Sequence, residues 1–584
     1  MIELKRLVIK IAGESGQGIN SVGEVVASAL KKTGFYSFGY REYPSLIKGG
    51  HAFHQIDFFD HPINSSSRYV DVLLCFSRVS FHAYLETLKK GGQVIHMMMG
   101  LELSSAEKYL IASKDIKIAY LPANDLAQKA GGNAIMANVV MVGALWKHLD
   151  LPLEPLSGVI REEFANKPDV IEPNLTSLKE GYESKLENLK ILKINFLPNN
   201  KRKHDALLTG NHLMSLGVVA AGVRAYFAYP MTPSSSILSY MAEICHETGM
   251  LVKQLDDEIS VAQAAIGAMF MGTRSLVATS GGGFDLMTES VSLAGMTETP
   301  FVCILAQRPG PSTGMPTWTN ASDLNLAVYS GHGEFPRCVI AVSDSASAYT
   351  SIQKAFNLAE KYQIPVVVLT DKLIAESLFQ VDDLEKDITI ERHLVGDADL
   401  DSLKPDDRFK LSKSGISLRW LPGQADACYV GNSDEHLEDG TVTEEATASL
   451  AMNLKRLAKI QTLLGELPEP ELIGPKVSLA TLVGWGSVKN AVCDVVNLWN
   501  KKFPKKIINY LHYEFVYPVR TDKLKKLILE KQPLVLVESN SFGQLGALLT
   551  QNTGYKFEEK LLKFDGRPFF VEDVIKYLDG RSWE

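Results

Sequence analysis

Long uninterrupted apolar runs are missing from this 584-residue sequence. None approaches the roughly 20 residues that a membrane helix needs, so a membrane-spanning function is not expected. An excess of positive charge is missing too. With 60 Lys and Arg against 68 Asp and Glu, the formal charge is −8 and no basic arm stands out, which argues against a nucleic-acid partner. Cysteine is sparse. The six (Cys75, Cys245, Cys303, Cys338, Cys428, Cys493) are spread singly with no Cys-x-x-Cys, whereas iron–sulfur and structural metal sites use closely spaced thiolates. No metal or cluster is therefore expected on this chain, and any electrons it handles leave through another polypeptide. Internal repeats and low-complexity tracts are lacking as well. The start, Met1-Ile-Glu-Leu-Lys-Arg-Leu7, runs into a strand-like segment without a signal-peptide pattern, and the expected location is the cytoplasm.

What is present is alternation. Apolar runs such as Leu7–Ala12, Val70–Phe76, Ala225–Ala228, Ser275–Ala278, Phe301–Ala306, Cys338–Ala341 and Pro365–Leu369 alternate with helix-like stretches. This predicts a multidomain α/β protein with parallel sheets, and 584 residues exceed what one core supports. Four regions are expected: 1–195, 205–380, an irregular insertion with a solvated helix over 381–472, and 473–584.

Several strand-like runs end in turns that can meet a ligand. Gly13-x-x-Gly16-x-Gly18 follows a strand and opens a helix, where bare backbone amides can approach a phosphate. Its spacing is not the dinucleotide fingerprint, and a turn that merely permits the fold explains it equally well. Arg41-Glu-Tyr-Pro-Ser-Leu-Ile-Lys48-Gly-Gly-His51 lies downstream, and taken alone Lys48 reads as a lysine on a solvated loop. In Tyr229-Pro-Met-Thr-Pro233 the prolines stiffen the loop and keep Thr232 out of helix, so its hydroxyl is offered at a strand end; Ser234 or Ser235 can cap the helix that follows. Glu258 stands after Asp256 and Asp257 at the head of the apolar helix Ile259–Phe270, either a functional carboxyl at an apolar helix start or part of an ordinary acidic first turn. Ser280-Gly-Gly-Gly283 permits close backbone approach or a sharp turn. Arg308 sits in a proline-stiffened loop, Gln307-Arg-Pro-Gly-Pro-Ser-Thr-Gly-Met-Pro-Thr317, suited to two-pronged binding of a carboxylate.

The blocks at 229–236, 256–259, 280–283 and 307–317, taken in order, resemble the alpha subunit of 2-oxoacid:ferredoxin oxidoreductases, with the 2-oxoglutarate branch nearest. The blocks at 13–18 and 41–51 resemble the gamma domain often fused upstream of it. The resemblance implies a Rossmann-like gamma domain, a thiamine-diphosphate pyrimidine-type domain, and a transketolase C-terminal-like domain on Gly484-Trp-Gly-Ser487 and Gly543-Gln-Leu545. It implies that Glu258 activates thiamine diphosphate with Gly281 and Gly282 close by, and that Thr232, Arg308 and Thr317 orient the 2-oxoacid. Gly13, Gly16, Gly18 and Lys48 would serve coenzyme A. The diphosphate-holding Gly-Asp-Gly is absent, since Gly396-Asp-Ala398 lacks its second glycine. Magnesium, the diphosphate and an iron–sulfur cluster are therefore implied on a beta subunit, with ferredoxin as acceptor and a dimer of alpha–beta heterodimers as the assembly. One departure touches the substrate: after Thr317 the family's 2-oxoglutarate enzymes often carry a basic residue and a Glu-Gln pair, and here Trp318-Thr-Asn-Ala321 follows. Two rivals remain at this stage, a non-catalytic assembly subunit and a nicotinamide oxidoreductase built on the 13–18 turn.

Overall fold

The computed structural model describes residues 4–44, 50–384 and 388–581. They form two compact units. The first takes the chain up to Leu208 with Glu376–Asp383 and Phe570–Gly580, and the second takes Thr209–Ala375 with Leu384–Phe569.

The first unit is built on an eight-stranded sheet in the order Lys117–Tyr120, Leu88–His96, Val70–Cys75, Leu7–Glu14, His51–Phe59, Tyr36–Glu42, Leu378–Val381, Ala206–Thr209. Leu7–Glu14 is parallel to Val70–Cys75 and antiparallel to His51–Phe59, so this is a mixed sheet. The helix Ile19–Thr33 turns Val22, Val26 and Leu30 into the core and keeps Lys31 and Lys32 in its last turn, where cations complement the helix dipole. The helix Val571–Asp579 is held to the same unit through Glu572, which accepts from the Ser67 hydroxyl at 2.5 Å and the Arg68 amide at 3.0 Å.

The second unit holds two sheets. Seven strands run in the order Phe515–Tyr517, Cys338–Ala341, Pro365–Asp371, Phe301–Gln307, Ser275–Thr279, Ala225–Ala228, Leu251–Gln254, parallel except at the Phe515–Tyr517 edge. The strands expected at Ala225–Ala228 and Cys338–Ala341 occur at those bounds, and the other three run slightly further. Five more strands follow the order Glu471–Ile473, Ile508–Tyr513, Ala480–Trp485, Leu534–Glu538, Glu559–Leu562. One apolar core joins both sheets, with Val277, Leu305, Val339 and Leu369 of one meeting Val483, Leu511 and Leu536 of the other. Each such side chain contributes roughly 1.5–3 kcal/mol when fully buried. The glycine-bearing motifs of the terminal lobe converge on Glu538, whose carboxylate accepts from the Trp485 indole at 3.0 Å and from the Leu545 and Gly546 amides at 3.1 and 2.9 Å.

The insertion departs from expectation in one respect. Its backbone is largely irregular up to a 21-residue helix, Ala446–Glu466, but that helix is not simply solvated. Lys455 and Lys459 are buried, each 2.5 Å from the Glu298 carboxylate, and Arg456 pairs with Glu435. Charge at helical spacing reads as a wet face in the sequence; here it faces a buried counter-charge on another element.

Candidate active site

Parallel register brings three strand ends to one edge. Ala225–Ala228, Ser275–Thr279 and Phe301–Gln307 are adjacent, with Phe227 opposite Val277 and Thr279 opposite Leu305. Ligands of open α/β sheets bind outside the carboxyl ends of the strands, and from these ends leave the loops carrying Thr232, Gly281–Gly283 and Arg308. The helix Glu258–Phe270 packs behind the first two strands, turning Val261, Ala262, Ala265, Ile266 and Met269 inward.

Glu258 is the first residue of that helix and is only 4% exposed. Asp257 is the N-cap, its carboxylate accepting from the Ser260 amide at 2.7 Å; the Ser260 backbone and hydroxyl groups hold Asp257 below the usual carboxylate range. The Glu258 carboxyl is left without a hydrogen-bonding partner among the described residues. It leans on Gly283, where an added Cβ would sit 2.9 Å from Glu258 Cγ and 2.1 Å from Thr279 Oγ1. The residues Gly281–Leu286 are a short helix rather than an open turn. Gly281 has its own reason to lack a side chain: a Cβ there would meet Asp323 Oδ2 at 2.7 Å. Gly282 is exposed, with open space where its Cβ would be.

Thr232 and Arg308 are brought together directly. Arg308 donates from Nη1 to the Thr232 carbonyl oxygen at 2.7 Å. The Thr232 loop is tied from below by Asn211, whose amide donates to the Pro233 carbonyl at 2.8 Å and to Ser236 Oγ at 2.6 Å. Ser234 occupies the N-cap position of the next helix, but its hydroxyl donates back to the Met231 carbonyl at 2.7 Å and caps nothing. Burial lowers the Arg308 pKa, and the Asp323 carboxylate acts the other way. Asp323 itself is lifted to about 6 by burial and by the neighbouring Asp285, with Arg308 opposing. Its amide donates to Gln307 Oε1 at 2.9 Å. Asp323 and Asn211 are the site residues that sequence reasoning missed; neither lies in a proline- or glycine-marked block, and only folding places them.

The loop after Arg308 folds back on itself, the Met315 amide donating to the Pro309 carbonyl at 3.0 Å and the Trp318 amide to the Met315 carbonyl at 3.1 Å. Thr317 is thereby buried with its hydroxyl lacking a partner among the described residues, an arrangement that costs free energy unless something hydrogen-bonds it. The terminal lobe holds this loop. The Thr319 amide donates to the Gly566 carbonyl at 3.1 Å, the Ala321 amide to the Ser539 carbonyl at 2.9 Å, and Gln544 Nε2 to the Ser322 carbonyl at 2.7 Å.

In the first unit, the turn of Gly13, Gly16 and Gly18 joins the strand Leu7–Glu14 to the helix Ile19–Thr33. Gly16 and Gly18 have φ of 93° and 72°, which explains glycine at both. Gln17 braces the turn, accepting from the Glu14 amide at 2.7 Å through its side chain and from Asn138 Nδ2 at 2.7 Å through its carbonyl. Strand pairing sets Glu14 opposite His51, and the Ser15 amide donates to the Gly50 carbonyl at 3.1 Å. The two N-terminal blocks are therefore neighbours. Lys48 lies outside the described residues.

The family profile for "Pyruvate flavodoxin/ferredoxin oxidoreductase, thiamine diP-bdg" matches residues 216–448, and that for "Pyruvate ferredoxin/flavodoxin oxidoreductase" matches residues 8–184. A 2-oxoacid:ferredoxin oxidoreductase subunit alpha of Sulfolobus sp is 31% identical, over 98% of this chain and 96% of that protein. A 2-oxoglutarate oxidoreductase subunit KorA of Mycobacterium tuberculosis is 26% identical, over 98% and 91%. Among solved structures, the 2-oxoglutarate:ferredoxin oxidoreductase from Magnetococcus marinus with 2-oxoglutarate, coenzyme A and succinyl-CoA bound superposes with a TM-score of 0.89 at 26% identity, covering 99% of this chain and 100% of that one.

Proposed function

The chain belongs to the alpha subunits of the 2-oxoacid:ferredoxin oxidoreductases, and from that premise we propose that, joined to a beta subunit, it converts 2-oxoglutarate and coenzyme A to the acyl-CoA and carbon dioxide while two electrons pass to ferredoxin. A thiamine-diphosphate-binding domain is part of it. The observation that carries the reading is the buried Glu258 carboxyl against the side-chain-free Gly283, at the same sheet edge as the Arg308–Thr232 pair.

The residues present fit the pyrimidine half of the cofactor. A flat heterocycle needs backbone without side chains beside it and a carboxyl for its ring nitrogen, and the Gly281–Gly283 segment and Glu258 supply both. When bound, thiamine diphosphate supplies the electron sink that lets a 2-oxoacid lose carbon dioxide. Glu258 holds the proton shared with the pyrimidine nitrogen, a general acid–base role. Arg308 binds the 2-oxoacid carboxylate through its guanidinium edge, the Thr317 hydroxyl donates to the same group, and the Thr232 loop fixes the angle of Arg308. Asp323 balances the guanidinium charge. The Gly13–Gly18 turn, with Lys48, serves coenzyme A. The beta subunit holds magnesium, the diphosphate and the iron–sulfur cluster; the assembly is a dimer of such pairs in the cytoplasm. Among the described residues no helix is long and apolar enough to cross a membrane.

The test is Glu258→Gln in the alpha–beta complex, with thiamine diphosphate binding followed by calorimetry beside turnover. Turnover should fall by about 10²–10⁴-fold while the cofactor still binds. Unchanged turnover would remove Glu258 from the chemistry.

A further inference from the structure

Thr279 ends the strand Ser275–Thr279 and is fully buried, yet the acceptor that its hydroxyl meets among the described residues is the Met231 thioether, at 3.9 Å. A thioether sulfur accepts weakly, and a buried hydroxyl without a good partner costs free energy. Glu258, at the head of the neighbouring helix, stands in the same condition: it is 4% exposed and its carboxyl has no hydrogen-bonding partner among the described residues. The missing side chain of Gly283 brings the two groups to one point. A Cβ there would lie 2.1 Å from Thr279 Oγ1, 2.9 Å from Glu258 Cγ and 3.0 Å from Glu258 Oε1. A strand end, a helix head and a glycine of a third element thus leave one unused donor and one unused acceptor at the same small space.

We infer that Thr279 is a positioning residue whose hydroxyl donates to the Glu258 carboxyl and holds it toward the cofactor. The inference rests on the reading of Glu258 as the group that shares a proton with the pyrimidine nitrogen. A carboxylate offers two oxygens, so a hydroxyl on one leaves the other for that proton. An ionised carboxylate is also a far stronger acceptor than a thioether, so the hydroxyl exchanges Met231 for Glu258 when the carboxyl has given up its proton. The bond favours the charged form of the carboxyl, the form in which Glu258 stands while the ring holds the proton. Thr279→Val keeps the β-branched shape and removes only the donor, which separates the hydroxyl from its packing.

The experiment uses the assembled alpha–beta complex loaded with thiamine diphosphate and no 2-oxoacid. It follows exchange of the cofactor's C2 proton for deuterium, by rapid quench and NMR, in the wild type, Thr279→Val, Thr279→Ser and Glu258→Gln. Thr279→Val should slow the exchange roughly ten-fold or more, the scale of one lost hydrogen bond to a charged group, and Thr279→Ser should restore most of it. Calorimetric affinity for the cofactor and KM for the 2-oxoacid should stay at the wild-type values while kcat falls with the exchange rate. Unchanged exchange in Thr279→Val would overturn the inference. Equal slowing in Thr279→Ser would overturn it too, by assigning the effect to the methyl group. A weakened cofactor affinity would show that the hydroxyl meets the cofactor and not Glu258. Should Thr279→Val fail to assemble, Thr279→Ala set against Thr279→Ser makes the same comparison. Normal exchange in Glu258→Gln would overturn the reading of Glu258 itself, whereas slow exchange there with normal exchange in Thr279→Val would overturn this inference alone.

Discussion

The close approach of Glu258 to Gly283 makes a prediction separate from acid–base chemistry. Gly283→Ala places a methyl 2.1 Å from Thr279 Oγ1 and 2.9 Å from Glu258 Cγ, distances at which neighbours must move. Overpacking of this kind costs about 1–3 kcal/mol, and here it also turns the carboxyl. We expect a thermal midpoint lowered by a few degrees, with turnover reduced far more than stability explains; a stable, fully active variant would mean that Glu258 does not need its present pose. The residues with a backbone signature were legible in the sequence. Thr232 was marked by flanking prolines, Glu258 by its place at the head of an apolar helix, and Arg308 by its stiff loop. Asp323 and Asn211 were not, because they reach the Arg308 and Thr232 loops only through the fold, and such meetings leave no local pattern.

Strand and helix placement was legible wherever apolar period and turn residues agreed, as at Ala225–Ala228 and Glu258–Phe270. It failed where charge was buried. The Glu298–Lys455–Lys459 cluster ties the insertion helix to the loop before Phe301–Gln307, and its carboxylate is held well below the usual range by the two ammonium groups despite burial. Glu298→Gln leaves two buried ammonium groups facing an amide, and breaking such a cluster costs about 3–5 kcal/mol; a melting curve within a degree of wild type would contradict this. A second element-scale link is His512 on Ile508–Tyr513, whose ring lies 3.0 Å from Ser343 Oγ and from the Tyr510 hydroxyl. Burial, with Lys489 nearby, pushes its pKa down to about 3, against about 6.5 unfolded. Between these values the unfolded chain binds more protons, so this group's contribution to stability is fully present above pH 6.5 and is lost as pH falls toward 3. His512→Asn should therefore show a shallower fall in melting temperature than wild type between pH 7.5 and 5. Parallel falls would place the pH dependence elsewhere.

At the scale of the whole molecule, the chain reads as one part of a larger enzyme. In the proposed function it supplies the Glu258 carboxyl and the Arg308 guanidinium at the reacting end of cofactor and substrate. The assignment was legible because four separated motifs kept their order; the choice of 2-oxoacid was not, because Trp318 departs from the pattern. The most direct measurement is CoA-dependent reduction of a low-potential dye, made anaerobically with the purified alpha–beta complex and a panel of 2-oxoacids. The account predicts reduction that requires both coenzyme A and a 2-oxoacid, greatest with 2-oxoglutarate and absent from the isolated chain. No reduction with any acid, by a complex shown to contain thiamine diphosphate and an iron–sulfur cluster, would contradict it.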